Sequence, residues 1–175
     1  MTNSDICFNM TKIVLTGPES TGKTFLAENL AAYFDIPWIP EYARTFLQKQ
    51  EGKYNYDDLL EIAKGQWVLE NDIKTEWVLC DTDLLTIKIW SLEKFGECHE
   101  WIKRQLIQKD KVYLLCYPDI EWESDPLREN PNDRKRLFGI YENELQELDV
   151  PYYIITGRDS WRLSKGKAIV QAIIN

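Results

Sequence analysis

The chain has 175 residues, a hydrophobic content of 44% and a formal net charge of −8 at pH 7. This length predicts a single domain with enough chain to bury a core. Because nucleic-acid-binding proteins usually carry a basic face, the acidic balance argues against DNA or RNA as the main partner. The sequence has no signal peptide and no long apolar span, so we expect a cytoplasmic protein without a membrane partner.

Apolar runs alternate with segments whose apolar side chains recur at helical spacing. In chain order, the predicted elements are a strand at 12–16, a helix at 25–34, a short strand at 37–40, a helix at 57–74 with Asp57 near its N-cap, a strand at 77–80, helices at 82–95 and 100–109, a strand at 112–116, a loop at 117–132, a helix at 133–148, a strand at 152–156 and a helix at 161–174. This alternation predicts an α/β fold, in which a five-stranded parallel sheet of nearly all-apolar strands carries helices on both faces.

We assign residues 1–10 to a loose leader without a function and 11–175 to the single domain. The four cysteines, Cys7, Cys80, Cys98 and Cys116, are widely spaced and form no Cys-x-x-Cys pattern. We therefore expect reduced, buried thiols, as is usual in the cytoplasm. The sequence leaves the oligomeric state open.

The segment between the first strand and the first helix matches the P-loop pattern Gly-x-x-x-x-Gly-Lys-Ser/Thr. Backbone N–H groups in such a loop and the following helix N-terminus bind phosphate oxygens. We expect Lys23 to reach the β- and γ-phosphates of ATP and the Thr24 hydroxyl to hold Mg²⁺. The predicted nucleotide-binding residues of the loop are Gly17, Glu19, Ser20, Thr21, Gly22, Lys23 and Thr24. Kinases, ATPases and switches all use this loop, so it leaves the fate of the γ-phosphate open.

Ligands of doubly wound sheets bind at the carboxyl ends of the strands, and charged residues recur there in this sequence. Asp81 follows the third strand, where it is expected to hold Mg²⁺; the alternative for Asp81 and Asp83 is a helix N-cap. Glu41 follows the second strand, where it is expected to bind or deprotonate an acceptor hydroxyl. The alternative for Glu41 is an exposed ion pair with Arg44. Arg158 follows the fifth strand and is a predicted nucleotide contact.

The loop after the fourth strand carries arginines and is interpreted as a lid at about 119–136. Phosphoryl transfer requires positive charge on the migrating group and exclusion of water, which Arg128 and Arg134 of a closing lid would supply. The alternative for Arg128 and Arg134 is a solvated basic turn in which they pair with Glu129 and Asp133. Trp122 either stacks on a ring or packs internally. The predicted catalytic residues are Lys23, Glu41, Asp81, Arg128 and Arg134, and the predicted substrate contacts are Glu41, Tyr42, Arg44, Asp83 and Trp122.

Several of these motifs occur together in one known family. They are Thr16 to Thr24, Pro40-Glu41-Tyr42-Ala43-Arg44, Gly65-Gln66, Asp81-Thr82-Asp83 and Trp122-Glu123-Ser124-Asp125-Pro126-Leu127-Arg128. In this order they resemble the ribosylnicotinamide kinase domain of NadR, and most closely its stand-alone P-loop relatives, from about Lys12 to the last helix.

The resemblance implies a P-loop kinase fold and phosphorylation of the ribose 5′-hydroxyl of nicotinamide riboside by ATP. It places Lys23 and Thr24 at ATP and Mg²⁺, Arg128 in the lid, and Glu41, Arg44, Asp81 and Asp83 at the riboside and metal. The chain differs from the bifunctional family members in two features. The chain lacks the His-x-Gly-His motif of their adenylyltransferase domain. It also has Pro40 where they carry a tryptophan, for which Trp38, Tyr42 or Trp67 would have to compensate.

Three alternative functions stay open at this stage. The nearest is a kinase for another nucleoside or nucleotide, which shares the phosphate machinery and differs in the ring pocket. The second is a regulatory P-loop ATPase that uses water as acceptor. The third is a nucleic-acid-processing P-loop protein, which the acidic balance disfavours.

Overall fold

A five-stranded parallel sheet organises the computed structural model of the chain, which describes residues 10–107 and 110–175. The described strands are β1 (Thr11–Thr16), β2 (Trp38–Ile39), β3 (Trp77–Asp81), β4 (Lys111–Cys116) and β5 (Tyr152–Ile155). The described helices are α1 (Lys23–Phe34), α2 (Tyr42–Lys49), α3 (Tyr56–Asp72), α4 (Leu84–Phe95), α5 (Glu100–Gln105), α6 (Arg134–Glu147) and α7 (Asp159–Ile174). The strand order is β2-β3-β1-β4-β5, and every neighbouring pair is parallel.

Side chains that alternate along the strands build a separate core on each face of the sheet. Ile13 and Leu15 of β1 pack with α1 and α7, whereas Val14 between them packs with α2 to α6. The predicted three-layer α/β/α fold is therefore confirmed. The central position of β1 places the loop that follows it between the carboxyl ends of β3 and β4.

Most predicted boundaries lie within two residues of the observed ones, but α5 ends at Gln105, before its predicted end, and one helix was not predicted. Helix α2 was missed because it is only eight residues long and buries only Ala43 and Leu47. Asp57 lies in the first turn of α3, near the N-cap as predicted, and the N-cap itself is Asn55, whose side chain accepts the Asp57 and Asp58 N–H groups at 2.8 and 3.2 Å. The Asp58 carboxylate in turn accepts the Asn55 N–H at 2.8 Å, which completes a reciprocal capping box.

Two predictions fall partly or wholly on residues that the structure leaves undescribed. Residues 1–9 of the leader, including Cys7, and the 108–109 end of the helix predicted at 100–109 lie outside the described ranges. Cys80, Cys98 and Cys116 are buried free thiols. None of the helices in the described part combines the length and the apolar character that crossing a membrane requires.

The strands are apolar as predicted, with one exception in the middle of the sheet. Lys12 and Lys111 are adjacent in the β1–β4 register and are 0% and 3% exposed. Lys111 Nζ donates to Glu70 Oε2 at 3.0 Å and to Asp83 Oδ2 at 2.8 Å, and the Tyr113 hydroxyl donates to the same Asp83 oxygen at 2.7 Å. Burial alone would lower the pKa of Lys111, but the carboxylates of Asp83 and Glu70 raise it above its usual value. The lysine is therefore charged and joins α3 to the start of α4.

Replacement of Lys111 should destabilise the protein strongly, because Asp83 would remain buried without its cation and Glu70 would keep only Lys12, whose Nζ is 3.9 Å away. We expect Lys111→Met to lower the free energy of unfolding by about 3–5 kcal/mol in a urea titration. The matched control is Lys49→Met, an exposed position near the end of α2, where the change should stay within about 0.5 kcal/mol. A Lys111→Met protein as stable as this control would contradict the inferred ion cluster.

Candidate functional site

The loop between β1 and α1 is built around two glycines with positive φ angles. Gly17 has φ 127°, and a Cβ at this position would lie 2.8 Å from the Cys116 carbonyl oxygen. Gly22 has φ 73° and is the N-cap of α1. The Thr21 hydroxyl donates to the Pro18 carbonyl at 2.9 Å and closes the turn. The loop therefore encloses the N-terminus of α1, the geometry that binds phosphate groups.

The two residues that follow Gly22 have different hydrogen-bond partners. Lys23 Nζ donates to the carbonyl oxygens of Gly17 at 3.0 Å and Pro18 at 2.8 Å, so its ammonium group lies across the loop. The Thr24 hydroxyl donates to Asp81 Oδ2 at 2.6 Å and thereby joins α1 to the end of β3. The predicted partners Lys23, Thr24 and Asp81 thus lie together.

The Thr24–Asp81 pair has the oxygen donors that suit Mg²⁺. Asp81 is 2% exposed, and its Oδ1 has no hydrogen-bond partner among the described residues. Burial raises the pKa of Asp81, although the Thr24 hydrogen bond and the Lys23 charge act in the opposite direction. No cluster of three or more His, Cys, Asp or Glu side chains with metal-binding geometry occurs in the described ranges. Nucleotide phosphates and water would therefore have to complete the coordination of a bound ion.

A cavity of about 420 Å³ opens beside the loop. Its walls come from the P-loop, the start of α2, the end of β3, α4 and the segment between β4 and α6. The predicted site residues that line it are Gly17, Glu19, Ser20, Thr21, Gly22, Lys23, Thr24, Glu41, Arg44, Asp81 and Arg128. Its size and its continuity with the P-loop suit a nucleotide phosphate next to a small acceptor.

Among the carboxylates that line this cavity, Glu41 best suits a catalytic role. It is the N-cap of α2, is half-buried, and makes no side-chain capping hydrogen bond within the described structure. Burial raises its pKa and the nearby Asp81 charge raises it further, while Lys23 and Arg44 act in the opposite direction. A carboxyl group with a raised pKa beside a phosphate site is a candidate proton acceptor.

The segment between β4 and α6, predicted as a lid, lies against the P-loop. The Glu19 carboxylate accepts the N–H groups of Glu129 and Asn130, each at 3.0 Å. The Ser20 hydroxyl accepts the Glu123 N–H at 2.8 Å. These bonds hold the segment over the mouth of the phosphate-binding loop.

Arginines complete the contacts of this segment. Arg44 NH1 donates to Asp125 Oδ2 at 3.0 Å, which ties α2 to the segment. Arg128 donates to the Glu123 carbonyl and lies within the cavity wall. Arg134 donates to the Ser20 carbonyl at 2.9 Å and to the Ile120 carbonyl at 3.1 Å. Arg134 therefore supports the P-loop from outside the cavity.

Five predicted site residues do not line the cavity. Tyr42 packs against Gly65, and Trp122 lies under the Arg134 guanidinium at 5.7 Å from ring centre to Cζ. Asp83 is fully buried in the ion cluster with Lys111 and caps α4 by accepting the Leu85 N–H at 3.0 Å. The N-cap alternative therefore describes Asp83, and its predicted contact with the acceptor is wrong for this structure. Arg158 is exposed and donates to the Asp119 carbonyl at 2.8 Å, beside a separate shallow depression.

Sequence reasoning missed the aromatic residues of the cavity wall, which are Phe25, Tyr54, Trp90 and Tyr141. Trp90 Nε1 donates to the Tyr54 hydroxyl at 2.9 Å, and the ring centres lie 4.7 Å apart. The Tyr54 hydroxyl also lies 3.3 Å from the Glu129 carboxylate. Tyr54 comes from the loop before α3 and Trp90 from a helix with apolar residues on most sides, so no local pattern marked either one.

Arg162 was missed as well. Its guanidinium is 5% exposed and donates to the Thr21 carbonyl at 2.8 Å and to Asp119 Oδ1 at 2.8 Å. Arg162 therefore connects the P-loop to the ends of β4 and β5. An arginine in the first turn of a helix gives no signal in the sequence that it is buried.

Comparison with known families and structures agrees with this geometry. A family model described as an AAA domain matches residues 12–162. No curated protein matches the chain. Among solved structures, the NadR protein in complex with NR superposes with a TM-score of 0.70 at 18% identity, over 93% of this chain and 50% of that chain. The chain thus spans half the length of that NadR protein.

Two kinases of similar size share the fold. The thymidylate kinase from Ehrlichia chaffeensis superposes with a TM-score of 0.68 at 14% identity, over 95% of this chain and 99% of that chain. The deoxyadenosine kinase from M. mycoides superposes with a TM-score of 0.63 at 12% identity, over 94% and 99% of the two chains. At these identities the likeness shows a P-loop kinase fold, and the fold alone does not identify the substrate.

The raised pKa of Asp81 predicts a trade-off between stability and metal binding. Because this pKa is higher in the folded protein than in the unfolded chain, Asp81 favours folding only while protonated. Its contribution is present below the unfolded-state pKa and is lost as the pH rises through the folded-state pKa. We expect Asp81→Asn to raise metal-free stability at neutral pH by on the order of 1 kcal/mol, a gain that shrinks on acidification.

The same variant should lose the Mg²⁺-dependent part of its affinity for an ATP analogue in a titration. The matched control is Asp72→Asn at the exposed end of α3, which should change neither property. A neutral-pH destabilisation by Asp81→Asn, or unchanged Mg²⁺ dependence, would contradict the assignment of Asp81.

Proposed function

The chain belongs to the AAA domain family, and on that premise we propose that it is an ATP- and Mg²⁺-dependent kinase of a small hydroxyl acceptor, nicotinamide riboside. The observation that carries the proposal is the cavity that runs from the P-loop to Glu41. Its lining combines the P-loop and Asp81, which we propose bind phosphate and metal, with the Glu41 carboxylate and an aromatic wall. A nucleotide switch requires only the phosphate and metal groups.

In the proposed mechanism, the P-loop N–H groups and Lys23 bind the β- and γ-phosphates, while Thr24 and Asp81 hold Mg²⁺. The bound ion would neutralise charge that develops on the phosphates. Glu41 accepts a hydrogen bond from the acceptor hydroxyl and takes up its proton as the hydroxyl oxygen bonds to the γ-phosphorus. The bond between the γ-phosphorus and the oxygen of the β-phosphate breaks, and ADP leaves. Arg128 contributes positive charge to the migrating group, and Arg134 holds the lid segment against Ser20.

The aromatic wall supports a ring-bearing acceptor. Phe25, Tyr54, Trp90 and Tyr141 line the cavity, and we propose that Tyr54 and Trp90, which lie beside α4, contact the ring. Trp38, Tyr42 and Trp67, which the sequence offered as compensation for Pro40, lie outside the cavity wall in the described structure. The solved NadR structure in complex with NR supports nicotinamide riboside as the acceptor to test first.

A kinase for another nucleoside is the second candidate. The likeness to deoxyadenosine kinase over 94% of this chain and 99% of that chain supports it. It would use the same residues for phosphate transfer. The buried free thiols of Cys80, Cys98 and Cys116 suit a cytoplasmic enzyme of either kind.

Purified protein should convert nicotinamide riboside and ATP to nicotinamide mononucleotide in the presence of Mg²⁺. Lys23→Ala should lower kcat about 100-fold or more, because it removes a charge that acts on the transferring phosphate. The control Lys49→Ala, at an exposed position of α2, should behave as wild type. Product no higher than in the Lys23→Ala reaction would reject this acceptor. ATP hydrolysis unaffected by any nucleoside would favour the regulatory ATPase instead.

Trp90→Ala should raise the KM for the riboside about 3- to 10-fold and leave the KM for ATP unchanged, since an aromatic contact contributes about 0.5–1.5 kcal/mol. Trp90→Phe should recover most of the loss. Tyr33→Ala, which removes an exposed ring from α1, is the control. Equal effects of Trp90→Ala on both KM values would count against a ring-binding wall.

A further inference from the structure

The dipeptide Gly65–Gln66 in the middle of α3 contacts the first residue of α2. A Cβ at Gly65 would lie 2.2 Å from Cε1 and 2.4 Å from Cζ of the Tyr42 ring. Glycine is therefore required by the close approach of that ring, although α3 is helical at this point. In a helix interior, glycine costs about 1 kcal/mol relative to alanine, so its presence here indicates a packing demand.

Gln66 makes a second contact with the same residue. Its side chain is 1% exposed, and its Oε1 accepts the backbone N–H of Tyr42 at 2.9 Å. The first N–H groups of a helix have no partner within the helix, and the N-cap side chain usually satisfies one of them. In α2 the N-cap is Glu41, whose side chain makes no such bond within the described structure. Gln66 thus supplies from α3 a hydrogen bond at the start of α2, and the Glu41 carboxylate is left to face the cavity.

We propose that Gly65 and Gln66 are positioning residues for Glu41, an inference that rests on the proposed kinase function. Tyr42 follows Glu41 directly, so a shift of the Tyr42 backbone moves Glu41 as well. Gly65 sets how closely Tyr42 approaches α3, and Gln66 fixes the direction of its N–H. A displacement of about 1 Å at a reacting group can cost about 100-fold in rate. Neither residue touches the acceptor; both act through the start of α2.

The test compares Gln66→Met with Gln48→Met, which changes an exposed glutamine of α2. We expect Gln66→Met to lower kcat about 10- to 100-fold and leave the KM for ATP unchanged, because the P-loop is untouched. The Gln48→Met protein should keep the wild-type kcat. Because Gln66 acts through Glu41, adding Gln66→Met to Glu41→Gln should cause little further loss.

A second pair of variants tests Gly65 by relieving the predicted clash. Gly65→Ala should lower kcat in the wild-type background but cause no further loss when Tyr42→Ala is already present. Amide hydrogen exchange provides a readout that is independent of activity. The Tyr42 N–H should be protected in the wild-type protein and lose that protection in Gln66→Met.

The outcomes separate this inference from the proposed function. A wild-type protein that phosphorylates no acceptor would overturn both. An active wild-type protein whose Gln66→Met variant keeps the wild-type kcat would overturn the positioning role alone. Additive losses in the Glu41→Gln/Gln66→Met protein, or equal exchange of the Tyr42 amide with and without Gln66, would also overturn it.

Discussion

The hydrogen bond between the Thr24 hydroxyl and Asp81 is the interaction on which the rest of the site depends. It joins the first turn of α1 to the end of β3, two elements that meet because β1 and β3 are neighbours in the sheet with Leu15 opposite Asp81. The bond occupies one carboxylate oxygen and leaves the other without a partner among the described residues. Burial makes this arrangement costly for an ionised Asp81, and a bound cation would relieve that cost.

The ion cluster of Lys111, Glu70 and Asp83 stabilises the turn that follows Asp81 at the end of β3. Thr82, between Asp81 and Asp83, has a φ of 69°, a conformation that is unfavourable for a branched side chain. Its N–H donates to the Leu15 carbonyl at 3.0 Å, and the next residue is bound to Lys111. The buried charges therefore stabilise a strained turn that carries the predicted metal ligand. In the same way, α3 holds the start of α2, which carries Glu41.

The sequence predicted the elements whose signal is local and missed those that depend on distant partners. Gly17, Gly22 and Lys23 were recognisable because the P-loop is a contiguous motif, and the P-loop fold it predicted is confirmed. Asp83 was placed at the acceptor because nothing near it in the chain reveals Lys111 as its partner. The roles of Tyr54 and Trp90 depend on how α4 packs beside the loop before α3, which no spacing pattern encodes. The catalytic roles of Glu41 and Arg128 remain predictions.

We propose that the cavity beside the P-loop brings an acceptor hydroxyl, rather than water, to Glu41. A crystal structure with AMP-PNP, Mg²⁺ and nicotinamide riboside tests it most directly. We expect the ribose 5′-hydroxyl oxygen within hydrogen-bonding distance of Glu41, in line with the γ-phosphorus, and the ring against Trp90 and Tyr54. A riboside bound away from Glu41, or a water in the in-line position with no acceptor in the cavity, would contradict it.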